Sequence, residues 1–181
     1  MLTWACRVLT GGAVALTLGA APVGASALPG ELLKLLKTQV VAFEARDADF
    51  LVEIGPPRLL PAFIRATGLG QDQAEPMVRQ LMQHQLDRIV TDLRFTINPN
   101  AAIPIQSDGA ALAAFFVPSR IVTIDQGQPA LRYESHVLAV QEDGAWSAMT
   151  VHSEEVMNLI RFAYPELQDT AFPGSDFGLA Q

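Results

Sequence analysis

Residues 131–151 read LRYESHVLAVQEDGAWSAMTV, and this stretch decides the fold. From Leu131 to Gln141 the stretch reads as a strand. Glu142-Asp143-Gly144 then makes a tight turn, because Asp-Gly readily supplies the positive φ that two-residue hairpins need. Trp146 to Val151 is the returning strand. The pairing is antiparallel by construction.

Upstream, Ala111 to Ile124 is rich in Phe, Val and Ile, with Arg120 as its one charge. It reads as another strand, and Pro118 within it points to an edge or a bulge. Asp125 to Pro129 is the turn that joins it to Leu131. Arg94 to Ile97 alternates and reads as a short strand, followed by an Asn98-Pro99-Asn100 loop.

Further back the period changes from two to that of a helix. Leu32, Leu33, Leu35, Leu36, Val40, Phe43 and Ala45 predict a long amphipathic helix from Pro29 to about Asp49. Asp47-Ala48-Asp49 ends it and caps a second element, Phe50 to Ile54. A short helix, Arg58 to Thr67, stops at Gly68 and Gly70. Asp72 reads as an N-cap, with Glu75 completing a capping box, ahead of a helix that runs to about Asp92. Downstream, a residue at or beside Ser153 caps a last helix, Glu154 to Tyr164, which Pro165 ends. The tail 168–181 is mostly Gly, Pro and polar and is expected to be mobile.

Helices first and antiparallel strands after them predict an α+β domain, with helices on one face of the sheet.

The first 27 residues read as a cleavable secretory leader. Arg7 supplies a positive start, and Val8 to Ala21 is an uncharged apolar run. A bilayer span needs roughly 20 apolar residues, so the run is short for an anchor. Ala25 and Ala27 give the small-x-small spacing of a cleavage site. The expectation is a periplasmic or secreted protein cut near Ala27, with no membrane span after cleavage. Losing Arg7 takes the formal charge from −7 to −8, and the chain's one cysteine, Cys6, leaves with the leader. Disulfide, thiolate and zinc-thiolate chemistry are then excluded. The remaining basic residues are scattered, which argues against nucleic acid. One domain is expected over 28–167.

The segments Arg46-Asp47-Ala48-Asp49-Phe50 and Glu142-Asp143-Gly144-Ala145-Trp146, and the strand Leu131 to Val140, resemble the NTF2-like superfamily. The second is similar to its common Asp-Gly-x-Trp turn. The resemblance covers about 28–167 and implies a cone: N-terminal helices packed on a curved antiparallel sheet (the cystatin-like α+β fold). The final helix is an addition to the simplest form. The family includes ketosteroid isomerase and SnoaL-type cyclases, and many members are homodimers through the sheet face.

The candidate ligand-binding residues are Phe115, Tyr133, His136 and Trp146, as the lining of an apolar pocket, although such aromatics are more often core. The histidines are His84, His136 and His152. His136, His152 and Glu134 are the grouping most like a metal site, yet exposed strand residues explain them better, and no metal or cofactor is expected. An acid–base pocket would draw on Asp47, Asp49, Tyr133 and His136, with a carboxylate base and a hydroxyl donor. Helix capping accounts for the two aspartates more simply. There is no Gly-x-Ser-x-Gly elbow and no Gly-rich phosphate loop. The expected function is noncatalytic binding of a small apolar ligand or a protein partner. A pocket enzyme of the isomerase type and a structural homodimer are the alternatives.

Overall fold

The computed structural model describes residues 28–87, 92–105, 112–124 and 130–180. The leader, its cleavage site and the 125–129 turn lie outside them. The chain is α+β: helices, then a strongly curled antiparallel sheet and a later helix.

Two long strands form the middle of the sheet, β3 (Ala113–Ile124) and β4 (Leu131–Glu142). They pair antiparallel from Ala113 opposite Gln141 to Thr123 opposite Leu131. The tight turn expected at Asp143-Gly144 is present, with φ of 50° and 81° at the two residues. Positive φ at both matches the right-handed twist of the flanking strands. It leads into β5 (Ala145–Val151), which pairs with the His136–Glu142 part of β4.

Each outer edge is built from two short strands end to end. On β3 these are β1 (Asp92–Ile97) and β2 (Ile103–Ile105). On β4 they are β5 and β6 (Asp176–Leu179). β6 lies in the tail expected to be mobile. The physical reason for the difference is the sheet edge: Leu131–Glu134 extends past β5 and would leave a row of backbone donors and acceptors open. Residues 176–179 fill it.

The helices follow the pattern of the sequence closely. In α1 (Gly30–Ala45) Leu32, Leu36, Gln39 and Phe43 form one buried stripe. Arg46 takes the left-handed conformation that ends it and donates back to the Ala42 and Phe43 carbonyls. α2 (Ala48–Glu53) is capped by Asp47, which accepts from the Phe50 amide at 3.0 Å. α3 (Leu59–Thr67) ends at Gly68, φ 71°. α4 (Gln71–Asp87) starts two residues earlier than the Asp72 box predicts, because the Gly70 carbonyl already accepts from the Ala74 amide. Asp72 therefore sits inside the first turn, and Glu75 pairs with Arg79 at 3.0 Å instead of closing a box. α5 (Glu154–Ala163) is capped by Ser153 as expected.

Alternation along β4 sends Val137 and Ala139 to one side and Leu138 and Val140 to the other, and all four are fully buried. The first face carries Phe95, Val117 and Ala148, packed against Leu32, Leu36, Phe43, Leu51 and Leu86. The second carries Ala114, Phe116 and Val151, packed against Ala62, Met157, Ile160, Tyr164 and Leu167. Helices thus cover both faces, not one. The amphipathic stripe of α5 is the cause: Met157 and Ile160 each gain about 1.5–3 kcal/mol by leaving water. The uncovered part of the second face carries charge, with Arg120 on Glu134 at 2.8 Å and Arg132 on Asp176 at 3.3 Å. At the β4–β6 edge Leu131, Phe177 and Leu179 remain exposed. No described helix is long and apolar enough to cross a membrane.

Candidate functional site

The four candidate ligand residues do not share a pocket. Phe115 and Trp146 pack on each other, 5.8 Å between ring centroids, half-buried against the core of the first face. Tyr133 lies six residues along β4 from Ala139, the residue opposite Phe115. That is roughly 20 Å at strand rise. Its hydroxyl donates to the His152 carbonyl at 2.9 Å. His136 is on the second face, edge-on to Phe116 at 6.1 Å, with Nδ1 3.3 Å from the Gly174 carbonyl. Burial pulls its pKa below the usual histidine value, and the Gly174 carbonyl offsets only part of that.

The other candidates are also engaged elsewhere. Asp47 caps α2. Asp49 is 80% exposed and pairs with Arg79 at 2.8 Å. Neither carboxylate enters an apolar interior, so no acid–base pocket forms on them. Glu134 accepts from Arg120, and His84 is exposed on α4. Among the described residues no three His, Cys, Asp or Glu side chains converge as a metal site.

Two features that pattern reading missed stand beside each other at the end of α5. The first is a polar latch. The Tyr164 hydroxyl donates to Glu142 Oε2 at 2.7 Å. Arg58 Nε reaches Glu142 Oε1 at 2.5 Å, and its Nη1 reaches Glu166 at 2.8 Å. The Arg58 guanidinium also lies 4.9 Å over the Tyr164 ring. Burial, then the bond to Glu142, raises the Tyr164 pKa well above its usual value. The Arg58 hydrogen bond, then a backbone N–H, holds the Glu166 carboxyl low. Both Glu142 oxygens are occupied, and the latch joins the start of α3, the end of β4 and the end of α5.

The second feature is a cleft of about 680 Å³ between β2 and the segment after α5. Ile103, Ile105, Phe116, Pro165 and Pro173 supply its apolar lining, with Glu166 and Asp169 among its polar groups. Glu166 thus belongs to both features, and its Oε2 is buried without a hydrogen-bond partner. The sequence signal for this cleft was the Pro165-Glu166 helix stop, which reads only as punctuation until β2 is placed opposite it.

Comparison with family models, curated proteins and solved structures yields no match.

Proposed function

We propose that the chain is an exported, noncatalytic binding protein with an NTF2-like domain that takes a small apolar ligand in the cleft beside β2. The cleft carries this reading. Its volume of about 680 Å³ lies within the roughly 300–1,000 Å³ of small-molecule sites. Apolar walls with a few polar groups suit a ligand recognised mainly by burial. The leader pattern of residues 1–27 supports export, and the α+β layer order supports the NTF2-like kinship. The engagement of Asp47 in a cap and Asp49 in a surface ion pair supports a noncatalytic role.

Nile red titrated into the full chain tests the reading. Saturable fluorescence is expected, weakened about tenfold by Ile103→Glu, which corresponds to about 1.4 kcal/mol. Ile103 is exposed at the cleft, so the substitution leaves the core intact. A titration that never saturates, or one that Ile103→Glu leaves unchanged, removes the proposal.

A further inference from the structure

β6 completes the edge of β4 without the packing that fixes the other strands. On the edge of β4 away from β3, β5 covers His136 to Glu142 and β6 pairs with Leu131–Glu134. Phe177 stands opposite Tyr133 and Leu179 opposite Leu131, yet they are 64% and 61% exposed. Little apolar area therefore holds the strand down. Its charge contact is long, with Arg132 Nη2 3.3 Å from Asp176. Arg132 Nε is buried with no hydrogen-bond partner, so Asp176 does not satisfy the guanidinium.

The chain returns to β4 through Pro173 and Gly174. Gly174 has φ 87°, a conformation that only glycine adopts at low cost. The bend is pinned by His136 at the Gly174 carbonyl and by Ser175 Oγ on the His152 carbonyl at 3.2 Å. A short bent hinge ahead of a lightly packed edge strand is the arrangement that favours strand exchange.

We propose that β6 exchanges between two copies of this chain, each β6 docking on the Leu131–Glu134 edge of the other. A second copy carries a complementary strand by construction, because the exchanged ladder repeats the pairing of Asp176–Leu179 with β4. The dimer therefore keeps every contact of the single chain outside the hinge. The tethered strand competes at an effective concentration in the millimolar range. Exchange thus shows in concentrated protein and is slow to reverse on dilution. The proposal is independent of the ligand cleft.

A chain with Cys6→Ser, Leu131→Cys and Leu179→Cys tests it, since the last two positions are exposed and directly opposed. Oxidised while dilute, the pair locks β6 onto its own β4, and light scattering of the concentrated protein should then read monomer. The reduced chain, concentrated in the same way, should read dimer. Oxidation after concentration should give covalent dimers on a non-reducing gel. Gly174→Ala, which strains the bend, should raise the dimer fraction several-fold. A reduced chain that stays monomeric at millimolar concentration overturns the proposal. So does a locked chain that dimerises equally well, because its contact is then side by side.

Discussion

The Tyr164 hydroxyl donates to Glu142 at 2.7 Å, and this bond ties the residue that ends α5 to the last residue of β4. Tyr164 is fully buried, and its ring lies under the Arg58 guanidinium. Substitution by Phe keeps the ring and removes only the hydroxyl. Glu142 Oε2 then loses a donor in a half-buried setting. The expected cost is about 1–3 kcal/mol, read from the midpoint of urea unfolding with the helix content of the native state unchanged. A Tyr164→Phe variant within about 0.5 kcal/mol of the parent shows that the hydroxyl adds nothing to the latch.

Asp47 and Asp49 separate a capping role from a catalytic one. Asp47→Ala removes the acceptor for the Phe50 amide and should cost about 1 kcal/mol of stability. Asp49→Asn alters an exposed pair with Arg79 and should move stability by less than about 0.5 kcal/mol. Paired denaturation curves check both. Equal and large losses in the two variants contradict the assignment of Asp47 alone as a cap.

Much of the fold was legible because the decisive signals are local. Asp143-Gly144 specifies a hairpin by backbone conformation alone, and both residues have the positive φ that the turn demands. Ser153 caps α5 through its own side chain. β6 was not legible, since Phe177-Gly178-Leu179 has a glycine at its centre and buries little. β2 was hidden by Pro104 and by its length of three residues. Neither strand forms from its own propensity; each forms because a long partner leaves an edge to be paired. The placement of the candidate site residues was hidden for a related reason. Residue parity tells that His136 and Val137 face opposite ways, but the two-sided helix cover decides what each face meets. The latch joins Arg58 to Glu142 and Glu166 across long sequence separations, and no periodicity carries such pairs.

Phe43 and Phe95 fasten α1 to the sheet. Their rings stack with centroids 4.6 Å apart and planes at 28°, and Glu44 accepts from the Phe95 amide at 3.1 Å. Phe95→Ala should cost about 3–5 kcal/mol, enough to leave the domain poorly folded near body temperature. Phe95→Leu fills most of the same space and should recover more than half of the loss. Similar thermal midpoints for the Ala variant and the parent exclude this contact as an anchor.

Gln39 offers a change in the other direction. It lies 2% exposed in the buried stripe of α1, and its amide oxygen has no hydrogen-bond partner. A buried acceptor without a donor costs about 1–3 kcal/mol. Gln39→Met has similar length and no such acceptor, so the thermal midpoint should rise. A fall in the midpoint shows that the amide makes a contribution that its burial does not disclose.

His136 gives stability a pH dependence whose sign follows from its position. Burial against Phe116 lowers its pKa below the ordinary 6.5, and the Gly174 carbonyl only partly opposes this. The unfolded chain therefore takes up a proton at a higher pH than the folded one. Above the ordinary value the ring is neutral in both states and the folded state bears no penalty. As pH falls below 6.5 the unfolded state gains the proton first, and stability declines until the pH has passed the lower folded value. His136→Phe removes the ring's titration and should flatten that part of the profile. Urea midpoints measured from neutral pH down to about the carboxylate range, for parent and variant together, check the difference. Profiles that run parallel through the histidine range place the dependence on other groups.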